Sequence, residues 1–174
     1  MDLRSEILKE HSKIQAEKIV KWVGSNPQRF AELMHLFLTD VYRVVQRAAW
    51  PIGIIGERQP ALIMPHLPQM LGRMTEAGVP VAVKRNVVRL LQFADIPEEL
   101  HGRVMSICFD LLADVNETIA VRVFSMSVLA QLAKTYPEIK HELKLIIADT
   151  LQHEPAAAFI ARSKMVLKQL EKQA

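Results

Sequence analysis

The sequence predicts an all-α solenoid: about four stacked helix pairs with one further helix ahead of the first. Two observations carry this expectation. Residues 82–94, AVKRNVVRLLQFA, return 38 residues later as AVRVFSMSVLAQL at 120–132, with apolar residues matched at Val83/Val121, Leu90/Val128, Leu91/Leu129 and Ala94/Leu132. Prolines also punctuate the chain at Pro27, Pro60, Pro97 and Pro137, at intervals of 33, 37 and 40 residues. A two-helix unit with such a period cannot bury its own apolar face, and stacking on the next unit does so.

Residues 1–25 read as a capping segment, one amphipathic helix over about 5–23 with Ile7, Ile14, Val20 and Val23 on its apolar side. The first repeat, 26–58, opens with Asn26 as N-cap and Pro27 in the first turn, where a missing N–H costs nothing. Its helices are expected over 27–39 and 41–58, with Pro51 inside the second. The repeat at 59–95 gives helices over 60–76 and 80–95. The repeat at 96–134 gives 97–114, with Leu100, Val104, Ile107, Cys108, Leu111 and Leu112 on one stripe, and then 118–134. The last repeat, 135–174, gives 137–152, with Ile139, Leu143, Ile146, Ile147 and Leu151 aligned, and then 157–172. Acids at Glu98, Glu99 and Glu138 suit the positive helix N-termini. The second helices share one register. Val45, Val83, Val121 and Phe159 form one row, Ile52, Leu90, Val128 and Val166 another, and Gly56, Ala94, Leu132 and Leu170 a third.

Composition agrees. The 174 residues are 50% hydrophobic and 24% charged, as a folded globular chain requires. The single Cys108 excludes an internal disulfide and a thiolate metal cage, and a reducing cytoplasm is the expected location. The N-terminus MDLRSEILKE has no apolar signal core, and no run of about 18 apolar residues occurs, so no membrane partner is expected.

The leading prolines and a turn motif are similar to those of the HEAT-repeat, armadillo-like family. Units of that family tend to place Asp in the turn and Val-Arg about six residues later. Here Val121-Arg122 follows Asn116, Val83-Lys84 is the related pair, and Asp40 precedes Val45-Gln46; Gln46, Ile160, Gly78 and Glu154 depart from the pattern. The resemblance covers about residues 27–172. It implies a right-handed α-α superhelix of about four HEAT-like pairs whose second helices line the concave surface.

Charge separates by helix layer. The first helices hold ten acids against five bases, counting Glu154 at the edge; the second hold twelve bases against three acids. With the apolar register turned inward, the opposite side of the second helices carries Arg43, Arg47, Arg58, Arg85, Arg89, Lys134, Lys164, Lys168 and Lys172, with Glu57, Asp95 and Glu171 toward the flank. The resemblance therefore implies a basic concave face. The candidate binding residues are Arg43, Arg47, Trp50, Arg85, Arg89, Lys134, Lys164 and Lys168. Trp50, near the edge of that face, could stack on a base or a guanidinium, and equally could simply pack. Lysine and arginine coat any solvated helix face, but one sign on one layer and the opposite sign on the other is what that explains poorly.

No catalytic constellation, metal motif or cofactor fingerprint is present: there is no P-loop, HExxH, nucleophile elbow or dinucleotide loop. His101 and His141 each follow a proline by four residues but fall out of the apolar register, and are expected as surface histidines. The expected function is a non-enzymatic interaction module without cofactor, binding an acidic partner, a protein segment ahead of nucleic acid. The alternative is a nucleic-acid-binding domain similar to the HEAT-like DNA glycosylases, which need aromatics and an acid around the damaged base; only Trp50 answers that here. The final helix, with Phe159, Val166, Leu167 and Leu170 turned inward and Met165 beside the lysines, is the expected place of self-association or docking.

Overall fold

The computed structural model describes residues 1–153 and 156–172. Among these the chain is all α, with ten α-helices, three short 3-10 turns and no strand. Two compact units divide it, Met1–Ile96 and Pro97–Ala174. The first holds α1 (Leu3–Lys9), α2 (Lys13–Val23), α3 (Pro27–Thr39), α4 (Tyr42–Arg58), α5 (Leu67–Met74) and α6 (Val81–Leu91). The second holds α7 (Glu98–Ala113), α8 (Ile119–Leu132), α9 (Lys140–His153) and α10 (Ala157–Lys172).

The expected pairs are present, α3 with α4 and α5 with α6 in the first unit, α7 with α8 and α9 with α10 in the second. Second helices also pack on one another: α2, α4 and α6 follow in a row, and α8 lies against α10. The shared register holds residue by residue. Val45, Val83, Val121, Phe159, Ile52, Leu90, Val128 and Val166 are all buried, and so are Gly56, Leu132 and Leu170; Ala94 is half-buried. Gly56 has a steric reason: a Cβ there would run into the Leu90 and Ile63 side chains. Cys108 is fully buried, and desolvation pushes its thiol up to about 12.

Three expectations need correction. The stretch 5–23 is two helices, because Glu10 is extended and Ser12 starts a new helix, its hydroxyl accepting from Gln15 N–H at 3.1 Å. The restart rotates Ile14 out to 81% exposure, while Ile7, Val20 and Val23 stay buried with Leu3 and Ile19. The stretch 60–76 begins as 3-10 turns at Pro60–Leu62 and Met64–His66, with α-helix only from Leu67. Pro65 removes a donor and disfavours α geometry in the residue before it, whereas Pro68 falls in the first turn of α5, where its missing N–H is not needed. The stretch 137–152 likewise opens with a 3-10 turn, Pro137–Ile139. Glu154, counted with the acids above, lies outside the described residues.

Turn chemistry explains one departure from the family pattern, at Gly78, and one match to it, at Asp40. Gly78 stands at φ 71°, a left-handed conformation that an aspartate side chain would disfavour. Asp40 at the first turn accepts Val41 N–H and receives the Arg4 guanidinium at 2.8 and 3.1 Å. In the second unit Arg122 is 1% exposed. It donates to the Leu112 carbonyl at 3.0 Å and the Thr150 hydroxyl at 3.0 Å, with its guanidinium 5.2 Å from the centre of the Phe159 ring. One side chain thus binds the end of α7 to α9 and α10. His101, expected at the surface, is half-buried and stands edge-on to Tyr136, Nδ1 3.1 Å from the phenol oxygen.

Candidate functional site

In the first unit, α4 and α6 run side by side, and the exposed sides of their facing residues leave an open depression of about 250 Å³. Gln46, Ala49 and Trp50 come from α4, one turn apart; Arg85, Asn86 and Arg89 come from α6 at the same spacing. His11, in the break between α1 and α2, closes one side, its ring tilted against Trp50 with centroids 5.3 Å apart. Trp50 is 38% exposed. Arg85 is exposed, and among the described residues its side chain makes no hydrogen bond or ion pair. Arg89 is half-exposed and pairs with Glu57. Its guanidinium lies over Gly53, where an added Cβ would meet it at 3.4 Å. Asn86, nine-tenths buried, donates its amide to the Ala82 carbonyl at 2.7 Å and forms part of the floor.

A family model described as a HEAT repeat domain matches residues 3–170, nearly the whole chain. The chain belongs to the HEAT repeat family. No curated protein and no solved structure matches it. HEAT repeat domains are in general non-enzymatic scaffolds that present repeated helix faces to partners.

Within this HEAT repeat domain the candidate residues have separate fates. Trp50, Arg85 and Arg89 come together as described. Arg43 is exposed at the start of α4, outside the depression. Arg47 is half-buried and donates to the Leu8 carbonyl at 2.7 Å, closing the C-terminal end of α1, where a cation also opposes the helix dipole. Arg58 is held by Glu17 of α2 in a two-pronged pair at 2.9 and 3.1 Å. Glu57, expected on the flank, reaches across to Arg89. The basic side of the second helices therefore carries more carboxylate contact than helical phase alone implies. In the second unit Lys134, Lys164 and Lys168 are all exposed. Lys134, Lys168 and Lys172 share a separate open depression with Met165 and Gln169. Sequence reasoning missed His11, Gln46 and Asn86. Gln46 was within reach, because it lies one turn before Trp50 on the same face.

The chemistry of the first depression is that of a cationic, amide-rich hollow with one aromatic wall. Among the described residues no carboxylate lines it. Among the described residues the carboxylates with displaced pKa values lie elsewhere and are all lowered. Glu6 falls to about 2 through Lys18, Lys9 and Gln15, while Glu17 is lowered by Arg58, Asp40 by Arg4 and Asp2 by Ser5. Among the described residues no group of three His, Cys, Asp or Glu could hold a metal ion, and no helix is long and apolar enough to cross a membrane.

Proposed function

We propose that this HEAT repeat domain binds an acidic segment of a partner protein in the depression formed by Trp50, Arg85 and Arg89. The observation that carries the reading is the exposed Arg85, without a partner among the described residues, beside an exposed indole in one hollow. A carboxylate of the partner pairs with Arg85. An adjacent apolar or aromatic residue covers Trp50, and Gln46 offers its amide to the main chain between them. Arg89, already shared with Glu57, supplies a weaker second contact.

A protein segment suits the hollow better than a nucleic acid does. Phosphate-dominated binding draws on several unshared cations along a track, and here one of the two arginines is half neutralised. The hollow is also of the size of one or two side chains.

A Trp22→Phe variant leaves Trp50 as the sole indole while keeping a ring under Arg29, which lies 5.0 Å from Trp22. Titrating it with a peptide carrying glutamates on both sides of a leucine should change Trp50 emission saturably, and Arg85→Glu should weaken that binding at least about tenfold. Raising salt should weaken it shallowly, because an apolar component remains. A steep log-linear salt dependence with preference for a single-stranded oligonucleotide would transfer the site to nucleic acid. An unchanged Trp50 signal would remove the reading.

A further inference from the structure

We propose that the exposed side of α10 docks an acidic amphipathic helix of a partner protein, at a second surface independent of the Trp50 hollow. Lys164, Lys168 and Lys172 follow at four-residue intervals and are all exposed. Lys134, just after α8, joins Lys168 and Lys172 around the side chain of Met165, which is 65% exposed. Among the described residues no carboxylate lines this depression and none of the four lysines makes an ion pair.

The surface is held in place from below. Phe159, Val166 and Leu170 are buried on the opposite side of α10, and the Gln169 amide donates to the Ala130 carbonyl of α8 at 3.1 Å. The helix cannot rotate its lysines away without exposing that apolar side. Four cations and one polarizable thioether are thereby presented together on a fixed base.

Charge selects an acidic occupant, and the row geometry selects a helix. Residues at i, i+4 and i+8 form one of the ridges through which helices most commonly pack. Successive lysines rise by about 6 Å, the interval at which a second helix repeats its own i, i+4 carboxylates. One apolar residue on that helix, between the acids, would cover Met165. A second copy of this chain is a poor occupant by the same face, because a two-fold contact sets lysine against lysine.

Two helical peptides of identical composition test this on the intact chain. One carries glutamates at i, i+4 and i+8 with a leucine on the same face; the other spreads them around the helix. The registered peptide should bind, shift the methyl resonance of Met165 (assigned through Met165→Leu), and hold at least about tenfold more tightly than its isomer. A Lys164→Glu, Lys168→Glu variant with unchanged circular dichroism should lose that binding, whereas Arg85→Glu should keep it, which separates this surface from the first. Equal binding of the two peptides, an unmoved Met165 methyl, preference for vesicles rich in phosphatidylserine, or a dimer that the lysine reversal abolishes would each overturn the proposal.

Discussion

Two arginines of the second helices, Arg47 and Arg122, turn their guanidinium groups into the protein, where backbone carbonyls receive them. Helical phase cannot distinguish such a residue from one that faces solvent. The long side chain leaves the helix at the right angle and then bends to a carbonyl that only the folded neighbour supplies. Arg85, by contrast, reaches no such acceptor, so its exposure was legible from phase alone. Arg122 is the more consequential of the inward pair. Arg122→Ala would strand the Leu112 carbonyl and the Thr150 hydroxyl and leave a void against Phe159. We expect a loss of about 3 kcal/mol or more in urea denaturation. Arg122→Lys should recover only part of it, since one ammonium cannot serve the end of α7 and Thr150 in the same planar fork.

At the scale of elements, the repeat register was readable because burial repeats with it. The three rows of second-helix positions are set by the packing of each helix on its neighbour, and the residue types follow. Gly56 belongs to that pattern as a special case, a place where Leu90 and Ile63 leave no room for a side chain on α4. Gly56→Val should destabilise by about 1–3 kcal/mol despite the better helix propensity of valine, measurable as a lower denaturation midpoint at unchanged slope. Element starts were less legible. Ser12 is an ordinary polar residue until the chain bends at Glu10, and only then does its hydroxyl become a cap. The same bend carries His11 to Trp50, so a wall of the candidate hollow depends on a helix break that apolar periodicity smooths over. In the 60–66 stretch Pro60 marked the position correctly but not the 3-10 geometry, where Pro65 withholds a donor from the helical ladder.

Across the whole chain the net charge of +3 conceals an uneven distribution, among the described residues, of the groups whose pKa is lowered. The lowered carboxylates Asp2, Glu6, Glu17 and Asp40, and the lowered His66, all lie within Met1–Ile96. Burial lowers the pKa of the His66 ring where it packs edge-on against Phe30. The unfolded ring takes its proton near pH 6.5, so acid below about that value favours the unfolded chain. The carboxylates stabilise above their unfolded values near 4, and that contribution disappears as pH falls through their lowered ones. Thermal melts followed by circular dichroism should therefore show Tm falling in two stages, below about pH 6.5 and again below about pH 4, and His66→Gln should erase the first stage alone. The same division has an experimental consequence. Trp22 and Trp50, the two tryptophans of the sequence, both belong to Met1–Ile96, whereas its one cysteine, the buried Cys108, belongs to Pro97–Ala174. A thiol this deeply buried and this weakly acidic reacts with an alkylating reagent only after its surroundings open. Indole emission and thiol alkylation are thus two native reporters, one for each unit. Overlaying their urea profiles measures the cooperativity of the unsubstituted chain directly.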